Sequence, residues 1–317
     1  MLRHFKQVLG FLLAAVILLA AVLVFLTPAG LEVLFPVFLR VRAEKYTPDS
    51  NTYAVYYDLR TEIAEADLVV VGVDPDVAES YEALGHFSRF MKQYNNYDGV
   101  LINCNRAAER IASGLLREVD EQRFYSRLEV LREKGLSHEV CDYLSELFVI
   151  NTTMPPVRKF EIHSYTGTNY AEETTLAEKI ADTYTSCERS AIAIVDVHEL
   201  DDEGSFRLEL EQILHGKTII FLQMQYTDNC PSSEASAPVG FPFRGEKPAV
   251  YFVKNSDFTP FYTYYDFVTG LYGTSSYLTD RLDTRFTDYF FIISNGTAST
   301  YTELKDEMTM TGAEGNT

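Results

Sequence analysis

Nineteen consecutive residues, Val8 to Leu26, carry no charge and no strong hydrogen-bonding side chain (VLGFLLAAVILLAAVLVFL). No other feature constrains the fold as strongly. As a helix this run spans about 28 Å, close to the hydrocarbon thickness of a bilayer. It has no polar face to offer water, so a soluble core helix is a poor alternative. A secretory leader has a shorter apolar region and a small-residue cleavage site, whereas here Pro28 interrupts Thr27-Pro28-Ala29. The expectation is an uncleaved, single-pass membrane anchor over residues 8–26, after a short N-terminal tail, 1–7.

Orientation follows from the rest of the chain. Arg3 and Lys6 precede the span, and Arg40, Arg42 and Lys45 follow it, so the flanking charges nearly balance. Five of the 27 basic and two of the 46 acidic residues fall within residues 1–45. The remainder holds 22 basic and 44 acidic residues, a net −22. Such a body is repelled by nucleic acid and by anionic lipid. Nucleic acid is therefore not expected as a partner, and the bulk of the chain is expected outside the cytoplasm.

A polar linker closes the segment 27–53, and a periodic pattern then begins. Short apolar runs appear at Leu68–Val73, Gly99–Asn103, Lys159–His163, Ala191–Val195, Thr218–Leu222, Ala249–Val253 and Tyr289–Ile293. Most are continuous rather than alternating, as in strands buried on both faces of a largely parallel sheet. Between them lie amphipathic stripes such as Val77/Tyr81/Leu84/Phe87/Met91 and Leu176/Ile180/Tyr184. The fold class is α/β, one domain over 54–308. Residues 105–150 show helical stripes (Phe124/Leu128/Leu131, Val140/Leu144/Leu147) and no strand, and read as a helical insertion after the second strand. The Pro-, Gly- and Ser-rich residues 227–247 read as a long loop, and 309–317 as a flexible tail.

In such sheets ligands bind beyond the carboxyl ends of the strands. That rule selects Asp74, Asp76, Asn103, Arg106, His163, Tyr165, His198, Gln223 and Gln225 as candidate ligand-binding residues. Asp196-Val197-His198-Glu199 is the densest titratable cluster; with Asp74 it supplies the candidate catalytic groups Asp196, His198, Glu199 and Asp74. Turn formation explains much of Asp74, Asp76 and Asn105, and explains His163, His198, Gln223 and Gln225 less well. No G-x-G-x-x-G, Walker, G-x-S-x-G or H-E-x-x-H motif is present. The four cysteines (104, 141, 187, 230) form no close pair and read as free thiols. No metal and no cofactor is expected.

Ala66–Val73 with its following helix, then Tyr97–Asn103, Thr175–His198 and Ser205–Gln223, resemble the superfamily that joins erythromycin esterases, Tiki-type proteases and bacterial haem-uptake proteins. That superfamily opens on a strand ending in Gly-Glu-x-His, and its second strand ends in Glu. This chain reads Gly72-Val73-Asp74-Pro75 at the first place and Asn103 at the second; His198 alone matches. The resemblance implies the scaffold without the catalytic set: a ligand-binding or interaction domain rather than an enzyme. The alternatives are a hydrolase built on the atypical Asp/His/Glu group and a structural partner of an envelope protein. Protease added to intact cells or protoplasts is expected to remove the chain beyond residue 46; protection until lysis would place the body in the cytoplasm.

Overall fold

The computed structural model describes residues 2–31, 34, 44–46, 59–104, 106–166, 170–171, 173–187, 189–197, 205–226, 249–272, 287–294 and 297. The loop 227–247, the tail 309–317, His198 and Glu199 lie outside them, as does most of the linker 27–53.

The α/β architecture is as expected. Eight strands form one sheet: β1 (Glu44–Tyr46), β2 (Leu68–Val73), β3 (Gly99–Ile102), β4 (Glu161–Ser164), β5 (Ala191–Asp196), β6 (Ile219–Tyr226), β7 (Ala249–Lys254) and β8 (Tyr289–Ser294), in the order β1-β7-β8-β6-β2-β5-β3-β4. From β8 to β4 every neighbour pair is parallel, while β7 pairs antiparallel with β8 and β1 antiparallel with β7. β1 falls in the expected linker: three of its residues add an edge strand.

All six residues of β2 are buried, because helices cover both faces of the sheet. One face carries Val69, Val71, Ile102, Ile194 and Leu222, the other Leu68, Val70, Leu101, Ala193 and Phe221. Against the first face pack α2 (Arg60–Glu65), α3 (Ala78–Tyr94), α4 (Arg106–Leu115), α5 (Glu121–Glu133) and α6 (His138–Thr152). Against the second pack α7 (Leu176–Thr185) and α8 (Ser205–Ile213). α9 (Thr259–Tyr272) covers the β7–β8 end through Tyr265 and Val268, against Val253, Phe290 and Ile292.

The insertion is three helices, and its apolar stripes (Phe124, Leu128, Leu131, Leu144, Leu147) belong to the same core as Val69 and Val71. One polar side chain locks it to the sheet. Asn151, 1% exposed, donates to the Leu116 and Phe160 carbonyls, each at 3.1 Å, and accepts from the Phe160 N–H at 2.7 Å. It joins the end of α6 to the end of α4 and the approach to β4.

Residues 2–26 form one helix, α1 (Leu2–Leu26). Its side chains are described from Leu13 onward, a rise of about 20 Å. Among the described residues no helix is long and apolar enough to cross a membrane. Leu13, Val16, Ile17, Leu18, Leu19, Val22, Phe25 and Leu26 are 42–69% exposed.

Asn151→Ala strands the Leu116 and Phe160 carbonyls and the Phe160 N–H; at roughly 1–3 kcal/mol for a buried group left unsatisfied, about 3 kcal/mol of stability is lost. Urea unfolding is the measurement, with exposed Thr152→Ala as the control expected to stay within about 0.5 kcal/mol. Equal midpoints for the two variants would remove Asn151 from this role.

Candidate functional site

The connection after β2 runs to α3 on one face, and the connection after β5 runs toward α8 on the other. β2 and β5 are paired neighbours, from Leu68↔Ala191 to Val73↔Asp196. Their chains separate at the carboxyl ends, and a cavity of about 170 Å³ opens there.

Local geometry sets each wall. After β2, Asp74 makes a tight turn: its Oδ1 accepts from the Asp76 N–H at 2.8 Å, and its carbonyl accepts from the Val77 N–H at 3.3 Å. Pro75 thereby reaches the rim and Asp74 is left fully buried. After β3, the Asn103 Oδ1 accepts from the Thr166 hydroxyl at 2.9 Å, while the Cys104 carbonyl accepts from the Thr166 and Ser164 hydroxyls. Tyr165 ties β4 to β5, its hydroxyl donating to the Ile194 carbonyl at 3.1 Å.

The insertion supplies the roof. α5 ends in a Schellman turn: Gly135 takes φ +88°, its N–H donates to the Arg132 carbonyl at 2.9 Å, and the Leu136 N–H donates to Leu131 at 3.1 Å. Ser137 then caps α6 by accepting from the Val140 N–H at 3.2 Å. Gly135, Leu136, Ser137 and Val140 all line the cavity, with Tyr81 and Tyr143 beside them. The Tyr143 hydroxyl bonds Ser88 at 3.1 Å, and its complete burial pushes its pKa upward. The lining is apolar and aromatic, with Asn103, Ser137 and Asp196 as its polar members.

Of the sequence candidates, the cavity takes in Asn103, Tyr165 and Asp196. Asp74 and Asp76 form the turn behind it, at 0% and 6% exposure, and do not line it. His163 pairs with Leu101, so strand alternation turns it to the face opposite the cavity. Gln223 and Gln225 lie within β6 and not beyond its end, paired with Phe290 and Ile292 of β8. In sequence, Gln223 and Gln225 alternating with Leu222 and Met224 resemble a polar strand end; in the sheet β8 extends the pairing past them. The Gln223 Oε1 accepts from the Thr287 hydroxyl at 3.3 Å. The side chains of Arg106 and Gln225 lie outside the described ones, as do His198 and Glu199 entirely. Sequence reasoning missed Tyr81, Cys104, Tyr143 and the 135–137 turn. Only the Lys134-Gly135 helix stop before Ser137 signalled a turn there, and nothing local aims it at the sheet.

Cys104, Cys141 and Cys187 are free thiols. Burial pushes the Cys104 thiol up to about 11, so it is no ready nucleophile at neutral pH. Among the described residues no three His, Cys, Asp or Glu side chains converge to hold a metal.

Two larger clefts open elsewhere. One of about 560 Å³ lies near the amino ends of β3 and β4 and is lined by Arg89, Lys92 and Arg158. Two of these cations are already engaged: Arg89 with Glu146, Lys92 with the Tyr97 carbonyl and, at 4.4 Å, the Phe160 ring. Another, about 460 Å³, runs between α3 and α6 and is lined by Glu79, Glu82, Glu139, Asp142 and Glu146. Neither lies at the strand switch point, so size alone does not select the site.

No family model matches the chain, and no curated protein matches it. Among solved structures, a Bacillus cereus protein is similar, with TM-score 0.56 and 8% identity over 84% of this chain and 98% of that one. At that identity the likeness concerns the fold alone.

With Cys104 pushed from an unfolded value of roughly 8.5 to about 11, its thiolate fraction at pH 8 falls on the order of a hundredfold. Iodoacetamide at pH 8, read by peptide mass mapping, is expected to modify Cys104 slower by that factor in the folded chain than in urea. Equal rates would mean that the thiol is open to solvent.

Proposed function

We propose that this chain is a membrane-anchored α/β protein that binds a small, largely apolar molecule in the crevice where β2 and β5 part. One observation carries the reading: a cavity of about 170 Å³ at the strand switch point, mainly apolar and aromatic in its lining, with Asp196 among the lining residues. A cavity of about 150 Å³ already takes up benzene when its walls are apolar. The ligand class is a single-ring or short-chain molecule with a donor or positive end facing Asp196.

The anchor rests on the uncharged run Val8–Leu26 and on a helix whose described apolar side chains face outward all round. The acidic body then lies on the extracytoplasmic side. The superfamily resemblance is carried as a scaffold only. A hydrolase reading would keep Asp196 but lose Asp74, whose carboxylate is buried in its own turn. An envelope-protein partner draws no support from the crevice.

Thermal unfolding with phenol, benzylamine and benzoate tests the reading. Phenol and benzylamine are expected to raise Tm with concentration, by up to about 2.7 kcal/mol of added stability at a hundred times Kd, and benzoate is not. Val140→Phe, which fills the cavity, is expected to abolish the shifts; Asp196→Asn is expected to remove the benzylamine preference. Equal shifts in the Val140→Phe chain, or none with any probe, would sink the proposal.

A further inference from the structure

α9 (Thr259–Tyr272) is apolar on two adjacent flanks. Tyr265 and Val268 are buried against the sheet, at 0% and 1% exposure. On the flank beside them Tyr264, Phe267 and Leu271 stand 38%, 62% and 69% exposed, at the i, i+3, i+7 spacing of a single helix face. An apolar stripe this wide is ordinarily covered across its width, and the sheet covers one flank only; Thr263, Asp266 and Gly270 fall on the remaining, polar side of the helix.

What lies beside that open face identifies its cover. The Tyr264 hydroxyl donates to the Phe25 carbonyl at 2.7 Å. Phe25 is in the last turn of α1, where carbonyls have no partner within the helix. Just beyond, the Leu31 N–H donates to the Thr27 carbonyl at 3.1 Å, and Leu31 is buried, at 2% exposure, in the same cluster as Tyr265 and Val268. α9 is thus fastened to the point where the apolar run Val8–Leu26 ends. Phe25 and Leu26 are themselves about half exposed there, at 51% and 49%.

We infer that α9 lies along the surface of the bilayer that α1 crosses, with Phe267 and Leu271 at the boundary of headgroups and acyl chains and Tyr264 at headgroup depth. This rests on the membrane-anchor reading and goes beyond it, since an anchor alone leaves the body free on its linker. Tyr and Phe suit that depth, where an apolar ring meets water at one edge. Residues 259–272 contain one acidic and no basic side chain. The contact is therefore apolar and does not call for anionic lipid. Held this way, the body sits at a fixed height above the membrane.

The chain contains no tryptophan, so a single substitution installs a unique fluorophore. The full-length chain is reconstituted in phosphatidylcholine vesicles carrying spin-labelled lipid quenchers near the headgroup or near the chain end, with acrylamide as the aqueous quencher. Phe267→Trp and Leu271→Trp are the reporters; Leu18→Trp reports the span, and Val119→Trp, at a position 88% exposed on the α4–α5 connection, reports water. Phe267→Trp and Leu271→Trp are expected to be quenched several-fold more by the shallow lipid label than by the deep one, and hardly by acrylamide. Adding anionic lipid is expected to change nothing. Acrylamide quenching equal to that of Val119→Trp, with Leu18→Trp still lipid-quenched, would overturn the α9 contact and leave the anchor standing. Protection from both quencher types would mean that protein, for example a second copy of the chain, covers the face, and would overturn it too. A Leu18→Trp signal indifferent to lipid labels would overturn the anchor itself.

Discussion

Everything in this molecule follows from burying β2 on both faces. Leu68, Val69, Val70, Val71 and Val73 are at most 1% exposed. At about 1.5–3 kcal/mol per buried apolar side chain, this strand alone contributes roughly 10 kcal/mol of burial, comparable to the whole net stability of a domain. A strand with no polar face needs helices above and below it. Right-handed crossovers supply them by sending the chain outward over one face and back over the other. The crevice is the consequence: β2 and β5 sit side by side, yet the helices that follow them, α3 and α8, pack on opposite layers.

The insertion converts that open crevice into a cavity. Its three helices are not an appended domain, since Phe124 and Leu147 share the core of the sheet. Asn151 fixes the far end of α6, and the Schellman turn at Gly135 fixes the near end. Between the two, Leu136 and Val140 are held over the strand ends. The polar groups around the cavity are largely engaged with one another: Asn103 with Thr166, Tyr143 with Ser88, Tyr165 with Ile194. A pre-satisfied lining favours a ligand that contributes apolar surface over one that must replace hydrogen bonds.

The opposite end of the sheet is organised around α1. β7 reverses direction, β1 adds an edge strand from the segment after α1, and α9 closes that end over Phe290 and Ile292. The Tyr264–Phe25 hydrogen bond and buried Leu31 make the exit of α1 part of this packing. The cavity and the end of α1 thus lie at different parts of one sheet, joined through β6 and β8.

The sequence by itself determined the α/β class, seven of the eight strands and the three-helix insertion, because continuous β-branched runs and 3.6-residue stripes are local signals. It also pointed to the strand carboxyl ends, where a cavity does open, since that rule depends on topology and not on any motif. Which residues line that cavity was decided only in three dimensions. Gln223 and Gln225 read as a strand end until β8 paired beyond them, and His163 faces away because its register with Leu101 sets its side. Asp74 looked like a catalytic candidate but is consumed by its own turn. Conversely, Tyr81, Tyr143 and Cys104 carry ordinary core signatures in sequence. Their place in the cavity depends on where α3 and α6 dock, and docking is set by packing between residues some 55 positions apart, as with Ser88 and Tyr143. Periodicity records which face of an element is buried; it holds no record of what that face is buried against.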